Sequence, residues 1–166
     1  MWTNPFFWLT WIGTAVLMEL WAMFLHGRLW HGMLWFSHRS HHEPRTGFFE
    51  FNDIFAAFHA SLAVFLIVYG FEAGPGFWHQ LSIAVGFGMT TFGLAYFIVH
   101  DGFIHGRLPV NFLARSPYMR RVRNSHRVHH LRDHQGPYGL FLGECELRRA
   151  GKLRRANKER QRKLRA

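Results

Sequence analysis

The sequence predicts an all-α integral membrane bundle of three to four transmembrane helices with a histidine-rich helical cap on the cytoplasmic side. Three observations predict it: long apolar stretches in a chain of only 166 residues, a basic C-terminal third behind a nearly neutral body, and thirteen histidines gathered mostly at the ends of the apolar stretches. A bilayer core of about 30 Å needs roughly 20 helical residues. Residues 5–25, interrupted only by Glu19, meet this length, as do 54–71, containing His59, and 77–99, beginning near His79. A soluble chain of this size could not hide three such helices from water.

The first stretch has neither a positive leading region nor a small-residue cleavage site, so it is expected to stay as a span. From His100 onward there are 17 Lys or Arg against 5 Asp or Glu, a net of +12, whereas residues 1–99 carry 3 against 5, a net of −2. The connection 26–53 holds Arg28, Arg39 and Arg45, and the turn 72–76 holds no basic residue. The positive-inside rule therefore places 26–53 and 100–166 in the cytoplasm. Membrane lipid, not nucleic acid, is the expected partner of the basic tail 144–166. A single cysteine, Cys145, excludes an internal disulfide and a cysteine-based metal framework. Residues 1–166 read as one domain.

The histidines follow a doubled pattern. His26 and His31 form an H-x4-H pair ahead of His38, His41 and His42; His100 and His105 form another ahead of His126, His129 and His130. Because the hairpin 54–99 returns the chain to its starting face, both copies emerge on the same side and can converge. On a helix His38 and His42 stand about 40° apart, so the triplet can face one cavity. An H-x4-H pair is about 140° apart on a regular α-helix, which demands a break near Gly27 or Gly32 or a separate metal for each member.

Neutral imidazole ligates metal when an acceptor holds its other nitrogen. Asp101, Asp53, Glu43 and Glu50 are near enough in sequence to be such acceptors. Glu19, on the face of His26, is a functional candidate as an ionisable residue within a span. His59 either joins them or lines a substrate passage; His134 reads as a loop residue. Ten ligands exceed one ion's needs: two six-coordinate metals with five imidazoles each would keep one open position apiece. A structural zinc needs four ligands and a hydrolytic one three. A transporter would place ligands at mid-span, and a bis-histidine haem protein would need opposed histidines inside neighbouring helices. The motifs stand at span ends.

The text "HRSHHEPR" at 38–45, "ND" at 52–53, "VHDGFIHGRLPV" at 99–110, "HRVHH" at 126–130 and "GPYGLFLG" at 136–143 resembles the non-haem di-iron β-carotene hydroxylases of the membrane fatty acid hydroxylase superfamily. The resemblance implies hydroxylation at C3 of β-ionone rings, from β-carotene to β-cryptoxanthin and zeaxanthin, with ring ketones such as canthaxanthin accepted by some members. It implies two iron ions held by the ten motif histidines, O2 as co-substrate and electrons from reduced ferredoxin. A carotenoid ketolase, or a lipid desaturase or hydroxylase, would share these metals, and a non-catalytic metal-binding protein would use the histidines alone. "PYGLFLG" resembles the plant-type ending. No transit peptide precedes the first span, so a bacterial inner membrane is the expected location.

Overall fold

The computed structural model describes residues 3–72, 74–131, 136–152 and 155. Helix α1, Pro5–Leu25, starts where the Asn4 side chain accepts from Phe6 N–H at 3.0 Å and Pro5 supplies a preset first turn. It runs on without interruption into a π-helical stretch, His26–Met33, after which α2, Trp35–His42, turns away. Helices α3, Asp53–Glu72, and α4, Phe77–Tyr96, form an antiparallel hairpin, and α4 also continues as π-helix, Phe97–Ile104. A 3-10 turn, Asn111–Arg115, precedes α5, Pro117–His130, which is capped by Ser116 and opened by Pro117. A last helix, α6, covers 143–152.

Three segments are long and apolar enough to cross a membrane: Pro5–Met33, Asp53–Glu72 and Phe77–Ile104. The first and third, of 29 and 28 residues, outrun the expected 5–25 and 77–99 because the π-helical extensions carry them past the apolar stretch into the histidine pairs. Their outer faces are bare apolar surface: Leu9, at 71% exposed, Ile12, Val16 and Leu17 on α1, and Phe58 and Phe65 on α3. Such surface is stable against lipid and not against water.

Without a hydrophobic drive between helices in lipid, close approach depends on small residues. A methyl group added at Gly88 would stand 2.5 Å from Thr14 Cβ and 2.7 Å from Trp11 O; at Gly86 it would stand 2.7 Å from Ile67 Cγ1. These two glycines seat α1 on one flank of α4 and α3 on the other. Phe7 packs with Ile83 and Ala84, and Trp11 donates to Thr91 Oγ1 at 2.9 Å, so α1 runs parallel to α4. Parallel packing is what brings His26 and His100 to the same end. Val122 of α5 and Leu140 then close over Val99 there.

Both outer spans lie along α4 and hardly touch each other. A cleft between α1 and α3, floored by α4, is the consequence. Substituting Gly88→Val should lower the melting temperature measured by circular dichroism in detergent by several degrees. Gly13→Ala, where an added methyl meets nothing within 4 Å, should leave it unchanged or raise it.

Candidate metal centre

In a π-helical turn the hydrogen bond runs from residue i to i+5, so residues five apart stack on one face. Leu34 N–H donates to Leu29 O at 2.8 Å and His105 N–H to His100 O at 3.0 Å. The H-x4-H spacing thereby becomes a same-face spacing: ring centroids are 5.0 Å apart for His26 and His31, and 4.7 Å for His100 and His105. A kink at Gly32 (φ −108°, ψ −118°) then ends the first wide turn and lets α2 fold back. Of the two alternatives that the spacing left open, the structure has the break: a wide turn followed by a kink.

The motif histidines meet in two adjoining groups. His26, His31, His38, His42 and His129 form one; His41, His105, His126 and His130 form the other, and within each the donor atoms lie within 4.8 Å of one another. His100 borders the second group, its ring 4.7 Å from those of His41, His105 and His126. The groups do not follow the two sequence copies. Each triplet sends its first and last members one way and its middle member the other, so His41 and His129 change sides. His42 and His130 stack at 4.4 Å where the groups meet.

The inner nitrogens converge. Nε2 atoms are 3.0 Å apart for His26 and His38, 3.1 Å for His31 and His129, 3.2 Å for His41 and His130, 2.9 Å for His130 and His126, and 3.1 Å for His126 and His105. His26 Nδ1 donates to Tyr138 O at 2.8 Å and His38 Nδ1 to Asn52 Oδ1 at 2.7 Å. Both partners only accept, so both histidines carry their proton on Nδ1 and face each other with bare Nε2 lone pairs. A proton between them would need a buried imidazolium, which removal from water disfavours at His38, whereas a metal cation would be held by both lone pairs. Metal–nitrogen bonds of about 2.1 Å would put neighbouring donors about 3.0 Å apart at right angles and about 3.4 Å apart in a tetrahedron. The observed spacings of 2.9–3.2 Å are short enough for neighbouring donors to share one ion.

Burial reinforces the neutral form. Outside the spans, removal from water followed by neighbouring imidazoles pushes His129 down to about 2 and His130 to about 3. His38 falls to about 3 for the same leading reason, although its Asn52 bond opposes the shift. His41 and His126 lie well below the usual histidine range, first through burial and then through His100.

Of the acceptors named from sequence, Glu50 receives His41 Nδ1–H at 3.3 Å and Asp101 stands 3.4 Å from His100 Nδ1. Asp53 instead binds Arg107 at 2.9 and 3.1 Å. Glu43 pairs with Arg39 at 2.9 Å on the surface. Glu19, buried in α1, accepts the Phe141 and Leu142 N–H groups at 2.8 and 2.9 Å, while Glu146 accepts those of Tyr138 and Gly139. The two carboxylates tie segment 136–142 across the first group, with the Tyr138 ring over Gly27 and beside His26 and His31. His59 donates from Nδ1 to Phe55 O at 2.8 Å and accepts from Trp21 Nε1 at 3.3 Å, away from the histidine groups. His134 and the tail beyond residue 155 lie outside the described residues.

Sequence reasoning gave no role to Asn52, Tyr138 or Arg107. Asn52 and Tyr138 fall within the quoted motifs, but the Tyr138 contribution is a backbone carbonyl, which side-chain identity does not announce. The cleft between α1 and α3 is a largely apolar cavity of about 450 Å³. Trp21 and His59 line it, with Ala56 and Ala60, and it reaches Trp30 and His100 beside the histidine groups.

Residues 11–146 match the profile of the fatty acid hydroxylase family. The chain is 47% identical over 155 residues to the chloroplastic β-carotene hydroxylase 2 of Capsicum annuum, covering 93% of this chain and 50% of that protein. It is 50% identical over 143 residues to the chloroplastic β-carotene 3-hydroxylase of Gentiana lutea, covering 86% of this chain and 44% of that one. Against the β-carotene hydroxylase of Pantoea ananas the identity is 44% over 117 residues, or 70% and 64% of the two chains. The chain thus spans about half the length of the curated plant relatives it matches. No solved structure matches it.

Depressed histidine pKa values make the metal-free fold acid-sensitive. Above about pH 6.5 folded and unfolded chains bind the same protons at these sites; below it the unfolded chain binds more, so stability falls with pH until the folded values near 3 are reached. The metal-stripped protein should lose on the order of 2 kcal/mol for the first such histidine at pH 5 relative to pH 7. Thermal unfolding of metal-free protein across that range checks it, and a flat profile contradicts it.

Proposed function

Because the chain belongs to the fatty acid hydroxylase family, we propose that it is a β-carotene 3-hydroxylase, inserting one oxygen atom from O2 at C3 of β-ionone rings. One C–H bond is exchanged for C–OH while the second oxygen atom leaves as water, taking two electrons and two protons. The observation that carries the reading is the apolar cleft between α1 and α3, which ends at Trp30 and His100 beside converging bare imidazole nitrogens. The curated relatives are named β-carotene hydroxylases, the Gentiana lutea protein a β-carotene 3-hydroxylase, which supports the reading.

The ten motif histidines are the proposed ligands: His26, His31, His38, His42 and His129 for one iron, and His41, His100, His105, His126 and His130 for the other. Two irons so held supply dioxygen activation with outside electrons, chemistry that redox-inert zinc does not offer. The chain's own residues do the rest. Asn52, Glu50 and the Tyr138 carbonyl hold the imidazoles in the tautomer that bares Nε2. Ala56 and Ala60 keep one wall of the cleft low, so a flat polyene can enter sideways from lipid and bring one ring to the histidines. Segment 136–142 covers the first group.

The basic half of the chain supports a cytoplasmic histidine end; the proposed location is a bacterial inner membrane and the proposed electron source reduced ferredoxin. Arg120, Arg121 and Arg127 lie on α5, next to the centre, and offer an acidic donor a docking face. Turnover with reduced ferredoxin should fall as salt rises, and a rate indifferent to salt would remove this donor site.

Expressed in cells that accumulate β-carotene, the protein should yield zeaxanthin and bind two irons per chain. Echinenone would make it a ketolase, and unchanged pigment would refute the hydroxylase reading. Ala60→Phe, which fills the cleft, should cut product by on the order of 100-fold by displacing the ring. Iron content should not change in that variant.

A further inference from the structure

Arg107 is the one buried cation that faces three carboxylates at the centre among the described residues. Its guanidinium donates to Asp53 at 2.9 and 3.1 Å and stands 3.3 Å from both Glu50 Oε1 and Asp101 Oδ1. The side chain is only 4% exposed. On their other oxygens Glu50 receives His41 Nδ1–H, and Asp101 lies beside His100 Nδ1. Both histidines belong to the second group or border it.

The first group is backed differently. His26 donates to a backbone carbonyl and His38 to an amide oxygen, both neutral. Glu19 and Glu146 reach that group only through the peptide N–H groups of segment 136–142. An imidazole whose N–H faces a carboxylate is the stronger donor at its other nitrogen, because the carboxylate stabilises positive charge on the ring. Three carboxylates against the Arg107 guanidinium leave −2, and Arg45, whose charge also reaches His105, brings the balance next to the second group to −1, still in favour of a divalent cation there. Without Arg107 those carboxylates would repel one another in a site shielded from water, and would turn away or take up protons.

We propose that Arg107 is a positioning residue that aims Glu50 and Asp101 at His41 and His100, making the second histidine group the tighter of two inequivalent metal positions. The inference rests on reading the cluster as a two-metal centre. Imidazole count does not rank the positions, since five donors gather in the first group and four in the second, where His100 stands beside them as the proposed fifth. Charge is therefore what distinguishes the two.

The test is anaerobic Fe(II) titration of the chelator-stripped, full-length protein, with chelator competition to resolve two binding events. His126→Ala should abolish the tighter event and His42→Ala the weaker. Glu50→Gln and Arg107→Gln should each weaken the tighter event by about 10–100-fold and spare the weaker one. If the Arg107 variant does not fold, Asp101→Asn, close to isosteric, provides the second reading. A merely structural arginine would weaken both events alike or lower only the melting temperature. Two equal events in the unsubstituted protein, or Glu50→Gln shifting both, would overturn the proposal. Fe(II) bound in the expected order by a protein that leaves β-carotene unchanged would remove the hydroxylase reading and keep this one. Zeaxanthin made by a protein whose irons titrate identically would do the reverse.

Discussion

Imidazole offers a metal only the nitrogen that has no proton, so a centre built of imidazoles depends on where each ring keeps its hydrogen. In this protein the outer nitrogens of His26, His38 and His41 are committed to acceptors, and the inner ones are pressed together with no hydrogen to share. That crowding is unfavourable in an empty protein and favourable around a cation. Everything that sets it up is structural: the buried acceptors, the close helix ends and the segment tied down by Glu19 and Glu146. The membrane spans supply the rigid frame on which such a costly arrangement can persist.

The frame follows from packing in lipid. Gly88 allows α1 to lie against α4 and Gly86 does the same for α3, leaving α4 in the middle. Two parallel spans then deliver a histidine pair each to one end, and the wide π-helical turns bring the members of each pair onto one face. The same packing leaves the outer spans apart, which opens the bundle to lipid beside the centre. The apolar cleft and the meeting of the histidines therefore have a common origin.

Much of this could be read from the residues alone. Hydropathy marks the three spans, and H-x4-H with H-x2-H-H marks the histidines that meet. Spacing also shows that an ordinary helix cannot seat both members of a pair on one metal, which left either a separate metal for each member or a distortion near Gly27 or Gly32. Its π-helical form was not legible, because wide turns arise from the demands of the assembled site and have no strong residue preference. The crossing of His41 and His129 between groups was hidden for a related reason: it depends on how α2 and α5 face each other, not on either motif. Glu19 shows the limit most plainly. A carboxylate inside a span signals function, yet nothing local reveals that its partners are peptide N–H groups at 141 and 142.

That long reach has a bearing on biosynthesis. Glu19 and Phe141 are 122 residues apart, and His26 finds its acceptor at Tyr138. All three spans precede in the chain the segment that completes the first group. The cage therefore stays unfinished until residues 136–142 have been made and folded back across it.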